Sequence, residues 1–249
     1  MVEREDRAPV GTFHAPGAWQ RAERVELDAS AAHHAVVKRL AVGDIIRLSS
    51  GDGRRAIGEI AELSKRRLVV SLVDDAIEEA PAPPRVEIWA PVGDRERMLM
   101  LAEKAVELGA SVWRPIVYNR SRSVTPRGEG DGFREKVKLR QISALEQCAG
   151  AWLPEMHAEA TLEAALAEAG AAGRGNLLLD VQGESLSNVV QSLELPVRIA
   201  MGPEGGLEES ERAQFIRAGW RPVSLGANVL RFETAGIAAL AIVRSQLSR

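Results

Sequence analysis

Val197-Arg-Ile-Ala-Met-Gly-Pro-Glu-Gly-Gly206, followed at once by Leu207-Glu-Glu-Ser-Glu-Arg212, decides how this chain folds. The apolar run 197–201 reads as a buried strand, and it breaks into a glycine-rich loop just before a helix begins. Missing side chains in such a loop let a ligand approach the backbone closely. Glu208, Glu209 and Glu211 crowd the first helical turn, where acidic residues suit the helix macrodipole but would repel a phosphate. The loop also lacks the Gly-Lys-Ser/Thr of a P-loop, so it is a better cradle for an uncharged or cationic ligand. Taken alone, it reads equally well as a strand-to-helix turn with a capping-box-like start.

A second loop has the same character. Strand 222–225 runs into Gly226-Ala-Asn-Val-Leu-Arg-Phe-Glu-Thr234 and then into the apolar helix 235–243. Two strand ends of this kind, both opening helices of one sheet, would lie close together at its carboxyl edge. Arg231, Glu233 and Thr234 bring polar groups there, although Thr234 also reads as a helix N-cap and Arg231 with Glu233 as a surface ion pair. Working outward, further apolar runs at 86–92, 112–117 and 176–181 read as strands. Helices are predicted at 95–108, 133–148, 162–169, 208–218 and 233–247. Strands alternating with helices imply a mainly parallel α/β sheet covered on both faces.

Ahead of this region, Glu79-Ala-Pro-Ala-Pro-Pro84 marks a linker, since its prolines remove backbone donors and favour extended chain. Before it, short β-like runs at 24–27, 45–48, 56–60 and 68–73 are separated by turns at Gly43-Asp44 and Gly51-Asp52-Gly53, with one helix at 30–40 that Ser30 can cap. The spacing predicts a small β-barrel over residues 1–80 and an α/β domain over 84–249. A length of 249 residues suits two modest domains, and 45% apolar with 27% charged content excludes general disorder. No apolar stretch reaches membrane-span length, and the charged start of the chain does not read as a signal peptide. One cysteine, Cys148, allows no intrachain disulfide and suits a reducing cytoplasm; it reads as a buried helical thiol. The four histidines do not share metal-ligand spacing, so no metal is expected.

The net charge of −3 hides a strong asymmetry. Residues 33–67 carry eight basic and four acidic side chains, residues 95–140 eleven and six, and residues 141–249 eight and thirteen. Two basic stretches therefore precede an acidic remainder, and a local basic face is what nucleic-acid binding requires.

The motifs Met201-Gly-Pro-Glu-Gly-Gly206 and Val223-Ser-Leu-Gly226 … Val229-Leu-Arg231 … Glu233-Thr-Ala235 closely resemble the C-terminal signature of the RsmE family, bacterial 16S ribosomal RNA uracil-N3 methyltransferases. His33-His34 … Lys38-Arg39-Leu40 … Gly43-Asp44 resembles the family's PUA-like RNA-binding domain, and Glu103-Lys104 … Glu107-Leu-Gly109, Arg120-Ser121 and Glu146-Gln147 … Pro154 resemble its central motifs. The resemblance spans residues 20–245. It implies a SPOUT-type α/β domain with a trefoil knot, an N-terminal PUA-like β-barrel, S-adenosyl-L-methionine as cofactor, a homodimer, and 16S rRNA or the small ribosomal subunit as partner. It assigns Leu179, Met201, Gly202, Gly205, Leu225, Gly226 and Leu230 to the cofactor pocket. A sulfonium is cationic and carries no phosphate, in keeping with the acidic loop.

Uracil N3 is a poor nucleophile until its proton leaves, so the site needs a base and donors that stabilise the resulting anion. Glu233 or Glu204 is the expected base, with Arg231 and Arg120 as the anion-stabilising pair. Lys38, Arg39, Arg54, Arg55 and Arg122, extended by Lys65, Arg66, Arg67 and Arg127, are the expected phosphate contacts. The chain departs from the family pattern at Asp94, Gly150, Asn228 and Phe232. Two other readings remain open on the residues: a SPOUT methyltransferase with another RNA target, and an RNA-binding module without catalysis.

Overall fold

The computed structural model describes residues 8–73, 77–123, 128–170 and 173–247. Arg127 and the side chain of Arg122, both expected to contact RNA, lie outside the described residues. The chain divides into two compact units, Met1–Ala82 with Ile142–Leu153, and Pro83–Gln141 with Pro154–Arg249. The division at Ala82 and Pro83 falls within the proline linker. Among the described residues, no helix is long and apolar enough to cross a membrane.

The first unit holds β1 (Thr12–His14), β2 (Arg24–Leu27), α1 (Ala29–Val37), β3 (Ile45–Ser49), β4 (Arg54–Leu63), β5 (Leu68–Leu72) and β6 (Glu78–Glu79). The strands pair in the order β1-β3-β4-β5-β2, with β6 on β4; β1 and β3 are parallel and the other ladders antiparallel. Inward residues Phe13, Ile46, Leu48, Ile60 and Val70 bury against Ala32 and Ala35 of α1. Helix α1 starts earlier than expected because Asp28, two residues before Ser30, has extended backbone and accepts from the Ala31 N–H at 2.8 Å.

The segment Ile142–Leu153, expected inside a continuous 84–249 domain, belongs with the first unit. Its backbone pairs with the Gly51-Asp52-Gly53 turn: Gly53 N–H donates to Ala151 O at 2.9 Å and Leu153 N–H to Gly51 O at 2.7 Å. Ser49 Oγ donates to Gly150 O at 2.8 Å. Glu146 accepts from the His14 N–H at 2.9 Å and meets His34 Nδ1 at 3.2 Å. Gly53 has a φ of +107°, and its missing Cβ leaves the room that the Trp152 indole fills. These pairings join residues roughly a hundred positions apart, which no local sequence pattern reports.

The second unit contains β7 (Val86–Pro91), α2 (Arg95–Glu107), β8 (Val112–Val117), α3 (Asp131–Cys148, whose end crosses into the first unit), β9 (Glu155–Met156), β10 (Ala160–Thr161), α4 (Leu162–Ala169), β11 (Asn176–Ser185), α5 (Leu186–Val189), β12 (Val197–Ala200), α6 (Glu209–Arg217), β13 (Arg221–Ser224) and α7 (Phe232–Leu247). The sheet is parallel throughout, ordered β10-β8-β7-β12-β11-β13 with β9 on β8. Successive side chains point to opposite faces. Ile88, Leu177 and Ile199 accordingly bury under α2, α3 and α7, whereas Trp89, Leu178 and Ala200 bury with Phe215 and Trp220 on the face of α4 and α6. Both faces being dry explains why the strands read as continuous apolar runs. Helix α7 starts beyond the edge strand β13 and packs back on α2, β7 and β12. Arg244 fastens its far end by donating to the carbonyls of Pro84 and Gly109, and burial pulls its guanidinium down to about 10.

Cys148 is exposed, not buried as expected, because it closes α3 on the turn that faces solvent. Thr234 lies inside α7 and does not cap it.

The Trp152 packing gives a first prediction. Trp152→Ala leaves the space beside Gly53 unfilled and should cost about 2 kcal/mol, near the low end for large-to-small changes of a partly buried ring. The check is a lower urea midpoint for unfolding of the first unit.

Candidate active site

An open cavity of about 540 Å³ lies beyond the carboxyl ends of β11, β12 and β13. Its wall comprises the 179–182 turn, the 201–207 loop, the 223–235 segment and Arg97 from α2, together with Glu209 and Arg212 from α6. Leu179, Met201, Gly202, Leu225, Gly226 and Leu230, all expected at a cofactor, line it, as do Arg231 and Glu204. Gly205 does not; its neighbour Gly206 takes the wall position, while a Cβ at Gly205 would stand 3.2 Å from Arg120 Cβ. Arg120 is likewise off the wall, with Nη1 donating to Gly205 O at 2.8 Å. Glu233 sits in the first turn of α7 between the wall residues Phe232 and Ala235. It is 5% exposed, and its Oε2 has no hydrogen-bond partner.

Carboxylates hold the loops in place. Glu211, 4% exposed, accepts from Glu208 N–H and Asn119 N–H, both at 2.8 Å, and Asn119 Nδ2 donates to Glu208 at 2.8 Å. The acidic helix start is thus a true capping box that also anchors the chain leaving β8. Glu204 accepts from the Asp94 N–H at 3.1 Å and lies 3.7 Å from Arg97 Nη1.

Sequence reasoning missed one wall. Leu179 and Glu184 both pair with Val223, so residues 180–183 are extruded from β11, and Gly183 lies so close to the Val223 backbone that a Cβ has no room. The extrusion places Asp180, Val181 and Gln182 on the cavity, and Asp180 pairs with Arg212 Nε at 2.7 Å. Burial works to raise the Asp180 carboxyl, but hydrogen bonds from Arg212 and the Gln182 N–H, with the Arg212 charge, outweigh it and hold the group below the usual carboxylate range. The one available signal was the Asp180-Val-Gln-Gly183 turn pattern, which stopped the predicted strand at 181 without showing where the turn projects.

In the first unit, Lys38 and Arg39 are exposed at the end of α1, with Lys38 Nζ 5.8 Å from the Phe13 ring centre and Arg39 at a φ of +59°. Arg54 and Arg55 instead face Glu79 and Glu78 of β6, at 3.5 and 2.6 Å. Arg67 pairs with Glu26 and Glu62. The expected basic face is therefore partly matched by the protein's own acids.

A dry parallel sheet with its cavity at the carboxyl edge, framed by glycine turns, defines an α/β ligand-binding domain of the enzyme kind. The profile of the RNA methyltransferase domain matches residues 80–244, and that of the RNA methyltransferase PUA domain matches residues 27–73. The chain belongs to this RNA methyltransferase family, and the resemblance to RsmE proteins is borne out by its relatives. It is 27% identical to ribosomal RNA small subunit methyltransferase E of Bacillus subtilis, covering 86% of this chain and 87% of that one. It is 28% identical to the protein of the same name from Mycobacterium tuberculosis, covering 87% and 84%. Among solved structures, a Legionella pneumophila protein described as a methyltransferase, with bound cofactor SAM, superposes with a TM-score of 0.81 at 27% identity, covering 94% of this chain and 96% of that one.

Two predictions follow from the wall geometry. Glu211→Ala removes the acceptor of two part-buried N–H groups, those of Asn119 and Glu208, and should cost about 2 kcal/mol, seen as a lower thermal midpoint. The Asp180 contribution to stability is present above its ordinary pKa of 3.8 and is lost as pH falls through the depressed folded value. The stability difference between wild type and Asp180→Asn should accordingly be flat near neutrality and shrink in acid, as measured by urea titration across pH.

Proposed function

We propose that this protein transfers a methyl group from S-adenosylmethionine to N3 of a uridine in 16S rRNA. The observation that carries the reading is the cavity itself, where six of the seven residues named from family motifs meet at one wall. Its volume suits a cofactor of this size, and no lysine lines it. The relatives' names and the SAM-bound Legionella structure support the same assignment. Bound in the cavity, S-adenosylmethionine supplies an electrophilic methyl group.

The protein's residues do the rest. Leu179, Leu225 and Leu230 provide apolar contact, and the glycine turns admit the ligand to backbone groups. A carboxylate, Glu233 or Glu204, takes the N3 proton, and Arg231 at the wall steadies charge left on the uracil oxygens. Its placement favours Glu233, which sits in the first turn of α7 beside the wall with Oε2 unpartnered and so available to accept a hydrogen. Arg120, bound to Gly205 O, shapes the loop from below. Lys38 and Arg39 offer phosphate contacts from the PUA-like unit.

The same reading carries the trefoil threading of the C-terminal segment, a homodimer and a cytoplasmic setting. The return of α7 from the sheet edge to β7 supports the threading. Val229, 84% exposed on the cavity rim, and Ile242 on the outer side of α7 support a second copy as their cover.

Nucleoside mass spectrometry of 16S rRNA from cells with and without the gene tests the target: N3-methyluridine should disappear without it. Unchanged N3-methyluridine with loss of another methylated nucleoside would favour a different RNA target. Calorimetry showing no binding of S-adenosylmethionine would favour the non-catalytic module. Glu233→Gln should lower kcat by about a hundredfold or more while the cofactor Kd moves little.

A further inference from the structure

Glu204 stands in the glycine loop on the cavity wall, where a carboxylate has two possible uses: to accept a proton, or to hold the loop. Its surroundings separate the two. Oε1 accepts the Asp94 N–H at 3.1 Å, the first amide of the turn that opens α2. Arg97 Nη1, in the first turn of the same helix, lies 3.7 Å away. Gly93 completes the seat, since a Cβ there would stand 2.8 Å from Glu204 Oε2. An amide donor and a guanidinium, both at the N-terminal end of a thirteen-residue helix, thus face this carboxylate, and its oxygens are engaged in holding the turn. Glu233 is placed the opposite way, buried with Oε2 unpartnered.

We infer that Glu204 is a positioning residue, clasping the 202–206 loop to the start of α2 and thereby setting the cofactor-facing backbone, and that it does not take the uracil proton. Arg120 holds the same loop from Gly205 O, so the loop is tied at two successive residues to two different elements. The Asp94 backbone serves as the donor, which leaves its side chain free to cap α2 through the Arg97 N–H at 3.0 Å. This assignment rests on the methyltransferase reading above.

The test compares Glu204→Ala, Glu204→Gln and Gly93→Ala in the full-length protein, with methyl transfer to 16S rRNA, cofactor Kd and thermal midpoint measured for each. An amide oxygen can still accept from the Asp94 N–H, so Glu204→Gln should stay within about threefold of wild type in KM for S-adenosylmethionine. Glu204→Ala should raise that KM about tenfold or more, as expected for losing a hydrogen bond to a charged group. Gly93→Ala, which displaces the carboxylate without removing it, should reproduce the Glu204→Ala effect. The dependence of kcat on pH should keep its wild-type shape in Glu204→Gln. A Glu204→Gln enzyme that binds cofactor normally yet loses kcat as severely as Glu204→Ala would make Glu204 the base and overturn the inference. Equal KM values for Glu204→Ala and wild type would overturn it as well. Wild-type protein that neither binds S-adenosylmethionine nor methylates RNA would instead sink the methyltransferase reading. The thermal midpoint identifies any variant that has failed to fold, in which case Glu204→Gln and Gly93→Ala decide.

Discussion

A parallel sheet buried on both faces leaves its strand ends as the place where backbone polar groups can meet a ligand, and that constraint organises the second unit. Trp89 and Ile88, adjacent in sequence, go to opposite dry faces, as do Leu177 and Leu178. No polar side chain on the middle of these strands can serve chemistry without a heavy desolvation cost. The chain instead places its glycines and charges just past β11, β12 and β13, where the strand order brings three loops together. The cavity is a consequence of how the sheet is covered.

The acidic character of this half has a structural use that a charge sum conceals. Glu204, Glu208 and Glu211 spend their oxygens on backbone or amide donors of the chain segments that flank the loops. Such hydrogen bonds are stronger than neutral ones and point in fixed directions. They hold glycine-rich loops, which have the most backbone freedom to lose, in one conformation. Glu233, 5% exposed, differs from these three in keeping one oxygen without a hydrogen-bond partner.

The first unit shows the same economy with basic residues. Arg54 and Arg55 answer Glu79 and Glu78 across the β4–β6 ladder, so fewer basic side chains stand clear of an acid than the run of positive residues implies. Exposed pairs of this kind contribute little to stability and can be exchanged for phosphate at small cost. Among the described residues, Lys38 and Arg39 show no such pairing with an acid.

Much was legible in the residues alone. The apolar runs at 86–92, 112–117 and 197–201 became β7, β8 and β12, and Met201-Gly-Pro-Glu-Gly-Gly206 became the cavity wall, because hydrophobic period and glycine turns act locally and report themselves locally. Residues named from the family motifs recur on the wall, because each glycine loop is one contiguous run of sequence. What tertiary structure decided was every pairing between distant groups. The extrusion of 180–183 from β11 depends on Val223 pairing with two partners, the placement of Ile142–Leu153 on the first unit depends on the carbonyl of Gly51 and the N–H of Gly53, and the clasp made by Glu204 depends on the N–H of Asp94. Local propensity sets what a segment can become, but a backbone hydrogen bond has no sequence signature at its far end. The sequence by itself determined the elements and the chemistry available; only the fold determined which carboxylate is tied to a backbone amide and which keeps an oxygen unpartnered.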